Sequence, residues 1–225
     1  MSRLPMRLIA SALAAALLAA CGVASAQQTG WVVLRAASYH AGEAPMQPGT
    51  GWLALMVVDG KWHLVPTAVT ATAAPDMADE PLTWTGVEIK ADAVDPIALL
   101  RAPGLKPGKV DTPDMRFENK PRLLQAGSSI AIAFRGREYS FDVRGKALEL
   151  TLGAVSQRLV DDVGSADEDS TTSLLWAGDL DGDGQLDFLL ETTGRNSESL
   201  CLYLSRPAAP GALVGGAGCL GVTGC

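Results

Sequence analysis

Between Ser129 and Val160 the sequence is cut at short intervals by glycine turns, Arg135-Gly136-Arg137 and Arg144-Gly145-Lys146. The pieces left between them, Ser129 to Phe134, Glu138 to Val143, Ala147 to Leu152 and Val155 to Val160, are too short for stable helices and the right length for strands. Tyr139, Phe141 and Val143 alternate with Ser140 and Asp142. A period of two puts one set of side chains on a buried face and the other in water. The stretch therefore predicts an antiparallel meander.

The same reading extends along the chain. Trp31 to Leu34 opens the series, and Trp52 to Val58 and Trp62 to Thr72 flank Asp59-Gly60, a strong hairpin signal. Trp84 to Ile89 and Ile97 to Arg101 follow, and no segment after the first 26 residues shows an apolar period of 3.6. The expected fold is all-β: an antiparallel sandwich-like or partly open barrel over residues 27–225, with two subdomains, 27–112 and 113–225, as the alternative. Pro103 to Pro121, rich in proline and basic residues, reads as a surface loop or a linker. No repeat of 20 to 50 residues is present, which speaks against a solenoid or propeller.

The first residues read as an address. Met1 to Arg7 is positively charged, and Leu8 to Ala20 is an apolar run too short to span a bilayer but suited to a signal peptide. Two processing sites compete. Ala24-Ser25-Ala26 predicts cleavage before Gln27, so that 1–26 is the signal. Leu18-Ala19-Ala20-Cys21 resembles a bacterial lipobox, which would make 1–20 the signal and Cys21 a lipidated anchor. Export is expected either way, to the periplasm, to the medium, or to the outer membrane as a lipoprotein. No later segment is apolar for long enough to cross a membrane.

In an oxidising envelope two of Cys201, Cys219 and Cys225 are expected to pair. Cys201 and Cys219 lie nearly equidistant from a turn at Pro207 to Gly211, so a hairpin would bring them together. Cys201 with Cys225 is the alternative.

Charge is unevenly spread. The chain carries −7 formally, and the first 26 residues contain Arg3 and Arg7 and no acids, so the remainder carries −9. Such a balance argues against nucleic acid as a partner. From Asp161 to Glu191 there are ten acids and no Lys or Arg, leaving the rest of the exported chain near neutral. Part of this run, Asp161, Asp162, Asp167, Glu168 and Asp169, reads as a solvated acidic loop.

The other part is Asp179-Leu180-Asp181-Gly182-Asp183-Gly184-Gln185-Leu186-Asp187. Acids at positions 1, 3, 5 and 9 of a tight loop aim hard oxygen donors at one point, which suits Ca²⁺. Gln185, at position 7, would offer its backbone carbonyl. An EF-hand would need a glutamate at position 12, which is Leu190, and the flanks are short apolar runs rather than helices. Set between strands, the loop resembles the Ca²⁺-binding hairpin of FG-GAP and VCBS repeats over about Leu174 to Glu191. The resemblance implies Asp179, Asp181, Asp183 and Asp187 as side-chain ligands on a C-terminal hairpin. Only one copy is present.

No nucleophile elbow, dinucleotide fingerprint or phosphate-cradling loop appears, and His40 and His63 lack metal-ligand spacing. The expected role is a calcium-binding exported protein that acts by binding a protein or glycan, or structurally. A secreted hydrolase using acidic residues is the rival, and a carbohydrate-binding module is a third possibility that needs at least two exposed tryptophans on one face. The five tryptophans otherwise read as core.

Overall fold

The computed structural model describes residues 30–44, 48–76, 83–113, 122–164 and 169–223. The expected export signal, 1–26 or 1–20, and Cys21, Asp167, Glu168 and Cys225 lie outside them. Among the described residues there is no helix, and so none long and apolar enough to cross a membrane.

Among the described residues, sixteen strands build three antiparallel sheets. The first contains β1 (Val32–Leu34), β2 (Ser38–Tyr39), β3 (Gly49–Val58), β4 (Lys61–Asp76), β5 (Thr83–Ala91), β6 (Ala98–Arg101) and β7 (Gly108–Lys109). Its order is β1-β6-β3-β4-β5-β2, with β7 added on β4. The long β4 pairs β3 along its first half and β5 along its second, so the sheet curls into part of a barrel. After β8 (Arg122–Leu124) comes the expected meander, β9 (Ser129–Phe134), β10 (Arg137–Arg144), β11 (Ala147–Leu152) and β12 (Val155–Val160), a separate four-stranded sheet. The third sheet is formed by β13 (Thr171–Gly178), β14 (Asp187–Gly194), β15 (Ser197–Leu204) and β16 (Gly215–Thr223), with β8 at its edge. The architecture is all-β and sandwich-like, as the sequence predicts.

Turn chemistry sets the hairpins. Asp59 and Gly60, and likewise Arg135 and Gly136, all have positive φ, the backbone of a two-residue turn whose twist matches the flanking strands. These turns fix the registers Val58 opposite Lys61 and Phe134 opposite Arg137.

The β13–β16 sheet is the middle layer. Trp176, Leu189, Leu200 and Leu202 face the first sheet and join its core around Trp52, Leu55 and Leu99. Leu174, Ala177, Phe188 and Leu190 face the meander and join Ile132, Phe141 and Leu148. Burial on both faces explains why β13 and β14 read as continuous apolar runs whereas β10 alternates. The chain thus has two cores that share one sheet.

Of the tryptophans, Trp52 and Trp176 are buried, Trp31 and Trp62 are half-buried and packed on the first core, and Trp84 is 71 % exposed. The described part of the proline-rich stretch is not a free linker. Gly108–Lys109 pairs with β4, the Val110 N–H bonds the Trp62 carbonyl at 2.9 Å, and Val110 is buried.

Cys201 and Cys219 sit directly opposite in the β15–β16 ladder, with Cα atoms 4.1 Å apart, and form a disulfide. Closing a loop of this length restricts the unfolded chain by about 3 kcal/mol. Exchanging both cysteines for alanine is expected to lower unfolding stability by about that much, which urea titration under oxidising conditions would measure.

Candidate metal centre

The Asp179–Asp187 loop joins β13 to β14, at the end of the middle sheet. All three sheets send groups to it. The Asp179 N–H donates to the Asp111 carbonyl, just beyond β7, at 2.8 Å. Arg135, in the β9–β10 turn, places Nη1 3.3 Å from Asp179 Oδ2 and also pairs with Asp111 Oδ2 at 2.8 Å. Arg137 donates to the Gln185 side-chain oxygen at 3.1 Å.

Backbone N–H groups inside the loop turn toward the carboxylates. Asp187, fully buried, accepts from Leu180 at 2.8 Å through Oδ2 and from Ser205 at 3.0 Å through Oδ1. Asp181 accepts from the Asp183 N–H, and Asp179 Oδ2 from the Gly184 N–H at 3.0 Å. Gly184 has φ +84, and a Cβ there would come within 2.9 Å of Arg135 Nη1. Glycine is required at that position for the left-handed backbone, whereas the guanidinium, at the end of a flexible side chain, could move aside for a Cβ.

One oxygen from each of Asp179, Asp181 and Asp187 comes within 4.8 Å of the others, so the three acids could hold a metal ion. Asp179 is 7 % exposed, and among the described residues its buried Oδ1 has no hydrogen-bond partner. A buried unpaired carboxylate oxygen is costly unless a cation or donor meets it, so the donor set fits a bound ion. Asp183 is outside this trio. Its Oδ2 accepts from Ser205 Oγ at 2.5 Å and its Oδ1 from the Gln185 N–H at 2.8 Å. The sequence pattern missed Ser205, Arg135 and Asp111; their separation along the chain leaves no local signal.

Burial pushes the Asp187 carboxyl up to about 7 against the stabilising N–H bonds, and Asp181 is also raised, by burial first and by Asp183 beside it. Metal-free, the folded protein therefore keeps the Asp187 proton well above the 3.8 of a free side chain. The stability this contributes is complete below that ordinary value and is lost as pH rises through about 7. Metal-free wild type should lose urea resistance over that window relative to Asp187→Asn, which has no such titration. Parallel profiles would contradict it.

Comparison of the chain with protein-family models, with curated proteins and with solved structures found no match.

Proposed function

We propose that this is an exported bacterial envelope protein whose Asp179–Asp187 loop binds one Ca²⁺ ion, and that it acts by binding a partner rather than by catalysis. The observation that carries the reading is the buried, partnerless Asp179 Oδ1 within reach of Asp181 and Asp187. Ca²⁺ takes oxygen ligands at about 2.3–2.6 Å, so two ligands on opposite sides of the ion stand about 5 Å apart. The trio's oxygens, all within 4.8 Å of one another, meet that bound, and their all-carboxylate chemistry is what favours Ca²⁺. The FG-GAP/VCBS-like pattern of the loop supports the same ion, with Asp183 and the Gln185 carbonyl as further candidate ligands. The disulfide supports an oxidising destination, outside the cytoplasm, with Cys21 as the candidate anchor. Asp181 and Asp187, both raised by burial, are the same carboxyls that this reading gives to the ion, which favours a binding role over a hydrolase.

Calorimetric titration of the chelator-treated protein should give about one Ca²⁺ per chain. Calcium must displace the proton held near neutrality, so the calcium-induced rise in Tm is expected to be larger at pH 8 than at pH 5.5. No heat of binding, together with an unchanged Tm, would remove the reading.

A further inference from the structure

A cleft of about 740 Å³ opens beside the loop, between the segment that follows β6 and the residues that follow β15. Asp179 and Asp181 line it, so an ion held by them would sit in its wall. Lys106, Lys109 and Arg206 line the same cleft. Arg206 reaches Asp181 at 3.7 Å, whereas both lysines are exposed and, among the described residues, neither enters an ion pair. Three cations and a divalent ion would then meet the four carboxylates Asp179, Asp181, Asp183 and Asp187, which leaves the occupied site with a net charge of +1. This is a local reversal in a chain of formal charge −7. Trp31, Pro103, Leu105 and Pro207 also line the cleft.

We infer that the cleft binds the carboxylate of an acidic saccharide. Resting on the calcium reading, the inference goes beyond it by naming what the ion faces. Three protein carboxylates, all of them already bonded to backbone N–H groups, leave open positions in a sphere of about six to eight oxygens even with Asp183 and the Gln185 carbonyl added. A ligand carboxylate entering from the cleft supplies the missing oxygens. Lys106 and Lys109 meet its second oxygen or the charge of a neighbouring unit through charge-assisted hydrogen bonds. The volume suits a short oligosaccharide, and Trp31 with the prolines offers flat surfaces to the C–H faces of sugar rings. A pyranose carrying a carboxylate combines both features in one ring. A run of acidic residues matches the charge but has no ring to lie against Trp31 and the prolines.

Trigalacturonate titrated into the calcium-loaded protein, beside neutral galactotriose and tetraglutamate, tests this, with calcium affinity measured separately for each variant. Expected are binding of trigalacturonate alone and loss on chelation. Lys106→Ala/Lys109→Ala should weaken it about tenfold or more with calcium affinity retained, while Lys90→Ala, distant on β5, should change nothing. Calcium binding without trigalacturonate binding overturns the inference and leaves the metal reading standing. So does equal affinity in the double-lysine variant, or tetraglutamate binding as tightly. Absence of calcium binding removes the metal reading, and trigalacturonate affinity indifferent to chelator then overturns the role given to the ion here.

Discussion

Asp187→Ala is expected to be among the most damaging single substitutions in the chain, and to be worse in calcium than without it. Asp187 is fully buried, and its two oxygens receive the N–H groups of Leu180, Asp181 and Ser205. Alanine leaves those donors inside the protein with no acceptor, at about 1–3 kcal/mol for each that water cannot reach. Opposed to this is relief of a desolvated carboxylate, whose cost shows in the pKa of about 7. At pH 5.5 the wild-type side chain is protonated and that relief is small, so the loss should stand near its full size, about 3 kcal/mol. At pH 8 it should shrink in metal-free protein. Calcium reverses the trend, because an ion at 100 times its dissociation constant adds about 2.7 kcal/mol to the wild type and nothing to a variant that cannot hold it. Urea midpoints at both pH values, with calcium and with chelator, give the four numbers needed. A variant whose deficit is the same in calcium and chelator would show Asp187 to be a loop brace and not a ligand.

The site illustrates which physics a linear sequence displays. The spacing of Asp179, Asp181 and Asp187 and the glycine at 184 are local requirements of a tight loop, so they stand out along nine residues. Asp183 fits the same spacing, yet Ser205, brought in by the end of β15, claims its Oδ2. Arg135 and Arg137 reach the loop because the β9–β10 turn packs over it, a relation set by sheet stacking and absent from any local pattern. Strands were legible for the same reason as the loop. The meander declares itself by alternation, and the middle sheet by apolar runs, whereas Ser38–Tyr39, Gly108–Lys109 and Arg122–Leu124 are too short to have a period. The pairing of Cys201 with Cys219 followed from distances to a turn. That one sheet serves two cores could not be read, because an apolar run shows that both faces are covered and not by what.

This shared sheet makes a strong prediction about cooperativity. Trp176 lies in the first core, edge-on to Trp62 with ring centres 6.5 Å apart, and among the described residues its indole N–H has no partner, so its contribution is packing. Phe188 lies in the second, edge-on to Phe141 at 4.9 Å and stacked on Tyr203 at 5.1 Å. Both are fully buried, and they stand on neighbouring strands, since Trp176 pairs with Leu189. Trp176→Ala and Phe188→Ala should each cost about 3–5 kcal/mol. Neither core can dissolve without exposing one face of β13 and β14, and a sheet stripped on one side loses the support that holds its strands in register. Each variant should therefore shift one and the same transition, with tryptophan fluorescence and far-ultraviolet circular dichroism moving together. Had the chain instead been two units divided near residue 112, Phe188→Ala would lower an early transition and leave a later one, reported by Trp52 and Trp62, in place. Two resolved transitions in the Phe188→Ala variant would thus count against a single cooperative unit, whereas one common midpoint would make the middle sheet the element on which both cores depend.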